Sequence, residues 1–474
     1  MTDSPFARAP LDEKEKPILD RLLEIRTNLE LLKQDKSTYV KSQDVIDLYN
    51  QVIENTAALN DLRTHKRTEQ TRVDTVLDDC FQLISLAFLT IGKNAEAPAV
   101  YSALSTMKRL LDHLKEANFF TPKDLAGLDG TLQKYRECIT RCDHYSPHLL
   151  TLLETRIEVC QNILSELQQK ISSMTSELSP TYEKLVSILR CLSACNTRSK
   201  FPEDDVKDLQ NQLKEIQAKL NNEKKPKHED ENTLKERVEH YIERIKMEDT
   251  PTPSAEKLVD DLLERCLLWA EIVLKKQGKI EEGFEDVYRR LMNIRNTLER
   301  LQLTQAWSLR ETDLYSYQRQ LDRIDEARAL DGNFVDAEGN KSNLHTQRTL
   351  LYLLRKSYAL IYHLIISSEP VSEALLPIYN QLLTLRRCLI EVKKDGGVSS
   401  PRELYPYSMK LNSIDNMRVD GKFMIGEDIP DGQGAVTQLL EECFELAYEL
   451  RNDAEEAEED ESSTDEDEKV ELRA

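Results

Sequence analysis

Glycine is scarce in this chain of 474 residues, with 13 in all, and aromatic residues make up only 6%. Long stretches rich in Leu, Glu, Lys, Arg and Gln fill the space, and such straight side chains lose little rotamer freedom in a helix. No run of 18 apolar residues occurs, so no membrane-spanning helix is expected. The opening MTDSPFARAPLDEKEKP lacks the apolar core of a signal peptide. Walker, GxGxxG, HExxH, GxSxG and CxxC motifs are all missing, which removes the commonest sequence signatures of catalysis and cofactor binding. The nine cysteines form no framework of spacings and read as reduced thiols of a cytosolic or nuclear protein. Positive charge is short as well: 64 Lys and Arg stand against 86 Asp and Glu, for a net charge of −22. Residues 453–474 hold twelve acids against Lys469 and Arg473, so that segment carries −10. An acidic chain repels phosphate backbones and anionic lipids, which argues against nucleic acid or membranes as direct partners.

What the chain does have is an internal repeat. Apolar residues at positions 0, +3, +6 and +10 occur at Leu19, Leu22, Ile25, Leu29; at Tyr101, Leu104, Met107, Leu111; and at Tyr182, Leu185, Ile188, Leu192. They return at Tyr288, Leu291, Ile294, Leu298 and at Tyr379, Leu382, Leu385, Leu389. At about 100° per residue these positions form one stripe, roughly 120° wide, on a leading helix. An acid with apolar residues at +1, +4 and +8 follows 23 to 25 residues later: Asp44, Asp124, Asp205, Asp313 and Glu403. The acids suit the first turn of a middle helix, where N–H groups are unpaired. Thr121-Pro122 and Ser400-Pro401 read as an N-cap followed by an N1 proline. In the fifth copy Pro406 falls inside the pattern and should shorten that helix. A closing helix then carries Val76-Leu77 with Cys80-Phe81, Leu152-Leu153 with Ile157, Leu262-Leu263 with Cys266-Leu267, Leu353-Leu354 with Ser357-Tyr358, and Leu439-Leu440 with Cys443-Phe444. Its wider apolar arc predicts contact with neighbours on two sides.

The chain therefore reads as all-α, with five tandem three-helix units at about 15–92, 97–176, 179–277, 282–368 and 371–452, arranged as an α-solenoid or a chain of packed helical bundles. The long third gap, residues 221–253, marks a linker between an N-terminal lobe (15–220) and a C-terminal lobe (254–452), with 231–248 able to form an extra polar helix. Residues 1–14 read as a flexible N-terminus. Residues 453–474 read as a disordered acidic tail, because like charges repel and almost nothing there is apolar.

The run SSPRELYPYSMKLNSIDNMRVDGKF (399–423), with LLRKSYALIYHLI (353–365) upstream, resembles a fungal family known only as a domain of unknown function. The resemblance implies a protein of cytoplasm and nucleus with no assigned activity, and it transfers no functional residue.

Candidate sites are few. Cys138, Cys142, His144 and His148 have the residue types of a zinc site but no standard spacing, and Pro147 interrupts them, so no metal or other cofactor is expected. Arg26, Arg109, Arg190, Arg295 and Arg387 flank the five leading stripes. They read either as a ladder for an acidic peptide or, preferably, as ion pairs to the acids that open the middle helices. Ser462, Ser463 and Thr464 each have an acid three residues on, as acid-directed kinases require. Lys224–Lys227 reads KKPK and resembles a nuclear import signal. Asp331-Gly332-Asn333-Phe334 and Asp420-Gly421-Lys422-Phe423 share a turn with a phenylalanine expected to anchor in the core. The most economical reading is a non-enzymatic interaction scaffold for other proteins, with a regulatory subunit of a larger assembly as the alternative. An enzyme with a site between repeats is a third.

Overall fold

The computed structural model describes residues 13–63, 71–221, 234, 237–239, 241, 254–329 and 331–471, with the backbone alone at 221, 305–308 and 457–471. The chain is all-α, 77% helical. Unit one comprises α1 (Lys16–Gln34), α2 (Ser42–Arg63) and α3 (Arg72–Thr90), and unit two α4 (Val100–Ala117), α5 (Pro122–Arg141) and α6 (Pro147–Ile171). Unit three is α7 (Ser179–Cys195), α8 (Glu203–Asn221) and α9 (Ala255–Lys276). Unit four is α10 (Glu285–Ser308), α11 (Leu314–Glu326) and α12 (Leu344–Ile366). Unit five is α13 (Leu376–Lys394), α14 (Tyr405–Asp415) and α15 (Gln433–Glu471). A two-residue hairpin, β1 (Arg418–Val419) and β2 (Lys422–Phe423), joins α14 to α15.

The leading stripes are where the periodicity puts them. Leu22, Leu104, Leu185, Leu291 and Leu382 are fully buried, as are Leu111, Leu192, Leu298 and Leu389. Each such leucine contributes about 2 kcal/mol by leaving water. Caps begin the helices as expected: the Thr121 hydroxyl accepts from the Asp124 N–H, while the Asp124 carboxylate accepts from the Thr121 N–H. Pro401 opens a short 3-10 turn, Pro401–Leu404, and Pro406 then leaves α14 only 11 residues long.

Repetition extends to single atoms. The thiols of Cys80, Cys266 and Cys443 donate to the carbonyls of Leu22, Leu185 and Leu382, each at 3.5 Å. These are equivalent positions in units one, three and five. Phe334 and Phe423 are buried, as expected of anchors. Their backbones are held the same way: Gln347 and Gln433 each accept from the phenylalanine N–H and donate to its carbonyl.

The units do not lie in a simple row. One hydrophobic core runs through units one, two and four, across the boundary read at 221–253, while units three and five each have a core of their own. Helix α12 is the hub, packing on α4 of unit two and on α7 and α9 of unit three. Asn196 donates to Thr349 at 2.8 Å and contacts His345 at 3.0 Å, tying unit three to α12. Most of 221–253 lies outside the described residues, the KKPK run included. Leu234, Arg237, Val238, Glu239 and Tyr241 are helical; Leu234 and Val238 pack onto the core of unit three, and Tyr241 is buried.

Unit five is fastened to units one and four at a tight joint. Gly92 (φ +82°) and Gly432 (φ +95°) lie on the backbone of Pro370–Ser372 so closely that an added Cβ would stand 2.5 Å from Ser372 N and 2.7 Å from Val371 Cα, respectively. Glu373 donates its N–H to the Thr90 carbonyl, and its carboxylate meets Arg310 at 2.6 Å and the Val40 N–H. Ala454 is the last buried residue of α15 among the described side chains, which end at Glu456. The helical backbone continues to Glu471, through the stretch expected to be disordered; Ala454 and Ala457 keep a helix-favouring composition at its start.

Candidate functional site

Where units one, two and four meet, a cleft of about 970 Å³ opens between α3, α4, α6, α11 and α12. Its walls carry Asp74, Asp78, Tyr101, Lys108, Arg109, Arg156, Arg319, Asp322, Glu326 and Arg328. Each cation there is engaged by an acid. Arg156 holds Asp78 at 2.7 Å and also donates to Ser105 and to the Tyr101 hydroxyl, which itself donates to Asp78. Arg319 reaches Asp79 at 3.2 Å, and Arg26 reaches the same carboxylate at 3.0 Å. Arg109 lies 3.5 Å from Asp322 and 3.6 Å from Asp325, Arg328 holds Asp325 at 2.7 Å, and Lys108 pairs with Asp112.

Burial shapes the electrostatics. It pushes the Asp79 carboxyl up to about 6 against the opposing pull of Arg319 and Arg26. With 1% of its side chain exposed, Asp79 sits beneath the cleft floor, where it sets charge without reaching a ligand. Asp322 is likewise raised by burial, with Arg109 and a 2.8 Å hydrogen bond from Tyr358 opposing. Behind the wall, His113 lies 3.5 Å from both Asp325 and Glu116. Burial disfavours its charge, but hydrogen bonds to those two acids outweigh it and the imidazole is raised. Asp325 is resisted by burial too, yet His113 and Arg328 bring it down to about 2. Chemically the cleft is a closed set of ion pairs that fastens three units together.

Among the described contacts, one of the five stripe arginines, Arg190, makes the expected ion pair with an acid that opens a middle helix, and that acid belongs to the neighbouring unit. Arg26 and Arg109 serve the cleft network. Arg190 holds Asp124 of the preceding unit at 2.6 Å, Arg295 lies 3.7 Å from Glu299 and donates to the Thr197 carbonyl, and Arg387 is exposed. Leading helices face several neighbours, so the nearest acid is set by the packing of units. The sequence reading missed Asp78 and Asp79; its one signal was a pair of acids inside the apolar arc of Val76–Phe81.

Cys138 and Cys142 donate to the Ala95 carbonyl at 3.0 and 3.6 Å, His144 lies 3.7 Å from Glu96, and His148 contacts Asn60. Among the described residues no group of three or more His, Cys, Asp or Glu is placed to hold a metal ion, and no helix is long and apolar enough to cross a membrane. Ser462, Ser463 and Thr464 lie on the backbone of α15, their side chains outside the described residues.

A second candidate surface is apolar. Of eleven exposed large hydrophobic side chains among the described residues, seven belong to unit five: Tyr405, Met409, Met417, Val419, Ile425, Ile429 and Tyr448.

Fold and surfaces together define an all-α protein of five packed three-helix units. The family described as protein of unknown function (DUF2408) matches residues 171–311, 312–392 and 368–470, and the chain belongs to it. The chain is 37% identical over 453 residues to a CUB1 family protein of Schizosaccharomyces pombe, covering 94% of each. It is 36% identical over 514 residues to the Cu(2+) suppressing and bleomycin sensitive protein 1 of Saccharomyces cerevisiae, covering 96% of this chain and 92% of the relative. No solved structure matches.

Proposed function

We propose that this chain is a non-enzymatic interaction scaffold of cytoplasm and nucleus that binds other proteins through unit five. The observation that carries this reading is the gathering of exposed apolar side chains on one unit of five. Single exposed apolar side chains are ordinary on a surface, but their concentration on one unit suits a binding surface. The cleft supports the same reading, since its charged side chains are spent on one another. Net charge −22 disfavours nucleic acid as the direct partner. The name of the budding-yeast relative speaks of Cu(2+) suppression and bleomycin sensitivity, and deleting this chain is expected to alter growth on both agents.

Size-exclusion chromatography of native extracts tests the scaffold reading. The full chain is expected to elute in complexes larger than its 54.8 kDa, and a Tyr405→Asp, Met409→Asp variant is expected to move toward that mass. Elution of the unaltered chain as a lone monomer at all concentrations would overturn it. A fixed stoichiometry with one partner would favour a subunit of a larger assembly over an adaptor.

A further inference from the structure

The apolar side chains of unit five are arranged, and their arrangement says what kind of partner fits. On α14, Tyr405, Met409, Asn412 and Ser413, with Asn416 at its C-cap, are exposed at helical spacing, forming one solvent-facing stripe about 15 Å long. Met417 follows the helix end, and Val419 stands on β1, paired in register with Lys422. Tyr405, Met409, Met417 and Val419 are 55–65% exposed, while the opposite face of α14 buries Leu411 and Ile414. A stripe of this length matches about three turns of a partner helix. Methionine side chains are flexible and polarisable, so they mould to apolar partners of differing shape.

Charge narrows the choice. Residues 376–422 contain eight lysines and arginines against five acids, net +3, in a chain of net −22. Within residues 402–422, exposed Arg402, Lys410 and Lys422 stand against exposed Glu403 and Asp420. This locally basic surface would repel a second copy of itself. The chain's own acidic segment, 453–474, offers charge but almost no apolar side chains to cover Tyr405 and the methionines.

Building on the scaffold reading, we propose that the α14–β1 face docks an acidic amphipathic helix of another protein. The partner's apolar residues, at i, i+3 or i+4 and i+7, lie on Tyr405, Met409, Met417 and Val419. Its acids face Arg402, Lys410 and Lys422.

The test uses the full chain with a photoreactive amino acid at Ser413, inside the stripe and exposed, expressed in the native cells and followed by sequencing of the crosslinked peptides. The expected peptides belong to another protein, carry net negative charge and show apolar residues at helical spacing. A Lys410→Glu, Lys422→Glu variant is expected to lower the yield at least about ten-fold without changing the melting temperature, since both side chains are exposed. Partner peptides that are neutral or basic, or a yield indifferent to that charge reversal, would overturn this inference and leave the scaffold reading standing. Crosslinks to a second copy or to residues 453–474 would overturn it in favour of those occupants. Absence of any crosslink would remove the docking face altogether, while co-elution in extracts would still decide the scaffold reading separately.

Discussion

Arg310 and Glu373 stand 2.6 Å apart where units one, four and five meet, each with only 12% of its side chain exposed. Arg310 also donates to the Asp35 and Thr38 carbonyls, so one ion pair holds the loop after α1, the start of α11 and the entry to unit five. Removing one member leaves a poorly solvated charge. Glu373→Gln is expected to cost about 3 kcal/mol, measured by urea unfolding. Because unit five has its own core, calorimetry of this variant should resolve a separate low-temperature transition. A single unshifted transition would show that the joint does not depend on the pair.

The same joint makes Gly92 and Gly432 irreplaceable. Alanine at either would combine a left-handed backbone with a Cβ pressed into main-chain atoms of 370–372. Each is expected to cost at least about 3 kcal/mol. Gly434→Ala, where nothing lies within 4 Å, should be nearly silent in the same melts.

Leu111→Asp, or its equivalents at Leu29, Leu192, Leu298 and Leu389, places a charge in a dry core and should cost more than about 4 kcal/mol. Leu303→Asp, at a position 88% exposed, is the contrast and should leave the urea midpoint in place. Equal effects would mean that the stripes are misassigned.

These stripes were legible because helical periodicity is a local property: Leu22, Leu104, Leu185, Leu291 and Leu382 announce their burial within ten residues of sequence. The caps at Thr121 and Ser400 were legible for the same reason. The order of the units in space was not, since α4 and α12 share no pattern that would reveal their contact. Nor was the cleft, whose acids Asp79 and Asp322 acquire their character from arginines on other units. The ion-pair partners of Arg109 and Arg190 illustrate the same limit, being chosen by packing between units.

His113 gives the chain a pH dependence. Its folded pKa is raised above the unfolded value of about 6.5, so its contribution is fully present below that pH and lost as pH rises through the folded pKa. Asp325 works in the opposite range: lowered to about 2 from 3.8, it contributes about 2 kcal/mol above pH 3.8, lost as pH falls toward 2. Urea midpoints measured across neutral pH should therefore decline on the alkaline side, and His113→Gln should flatten that decline. A variant retaining the full slope would place its origin elsewhere.

Truncation after Glu456 should leave the melting temperature nearly unchanged, because residues 457–474 carry almost no apolar side chains to bury. Phosphopeptide mapping of growing cells is expected to find Ser462, Ser463 and Thr464 modified, each phosphate adding about −1.5 to −2 charge to an acidic arm. A large drop in melting temperature would mean that the arm docks, and unmodified peptides would remove the kinase reading alone.

The shared core of units one, two and four has a consequence for synthesis. A ribosome releases α1 to α6 long before it makes α12, which begins at Leu344. At about 5–20 residues per second, the surfaces of the first two units that await α12 stay uncovered for roughly 10–40 s on every nascent chain. During that interval unit three, complete in its own core, is made and can fold first. The newborn chain therefore closes out of order, with its opening segments finished by a helix from the second half, and any holding factor that shields nascent apolar surface has its longest task on α3 and α4.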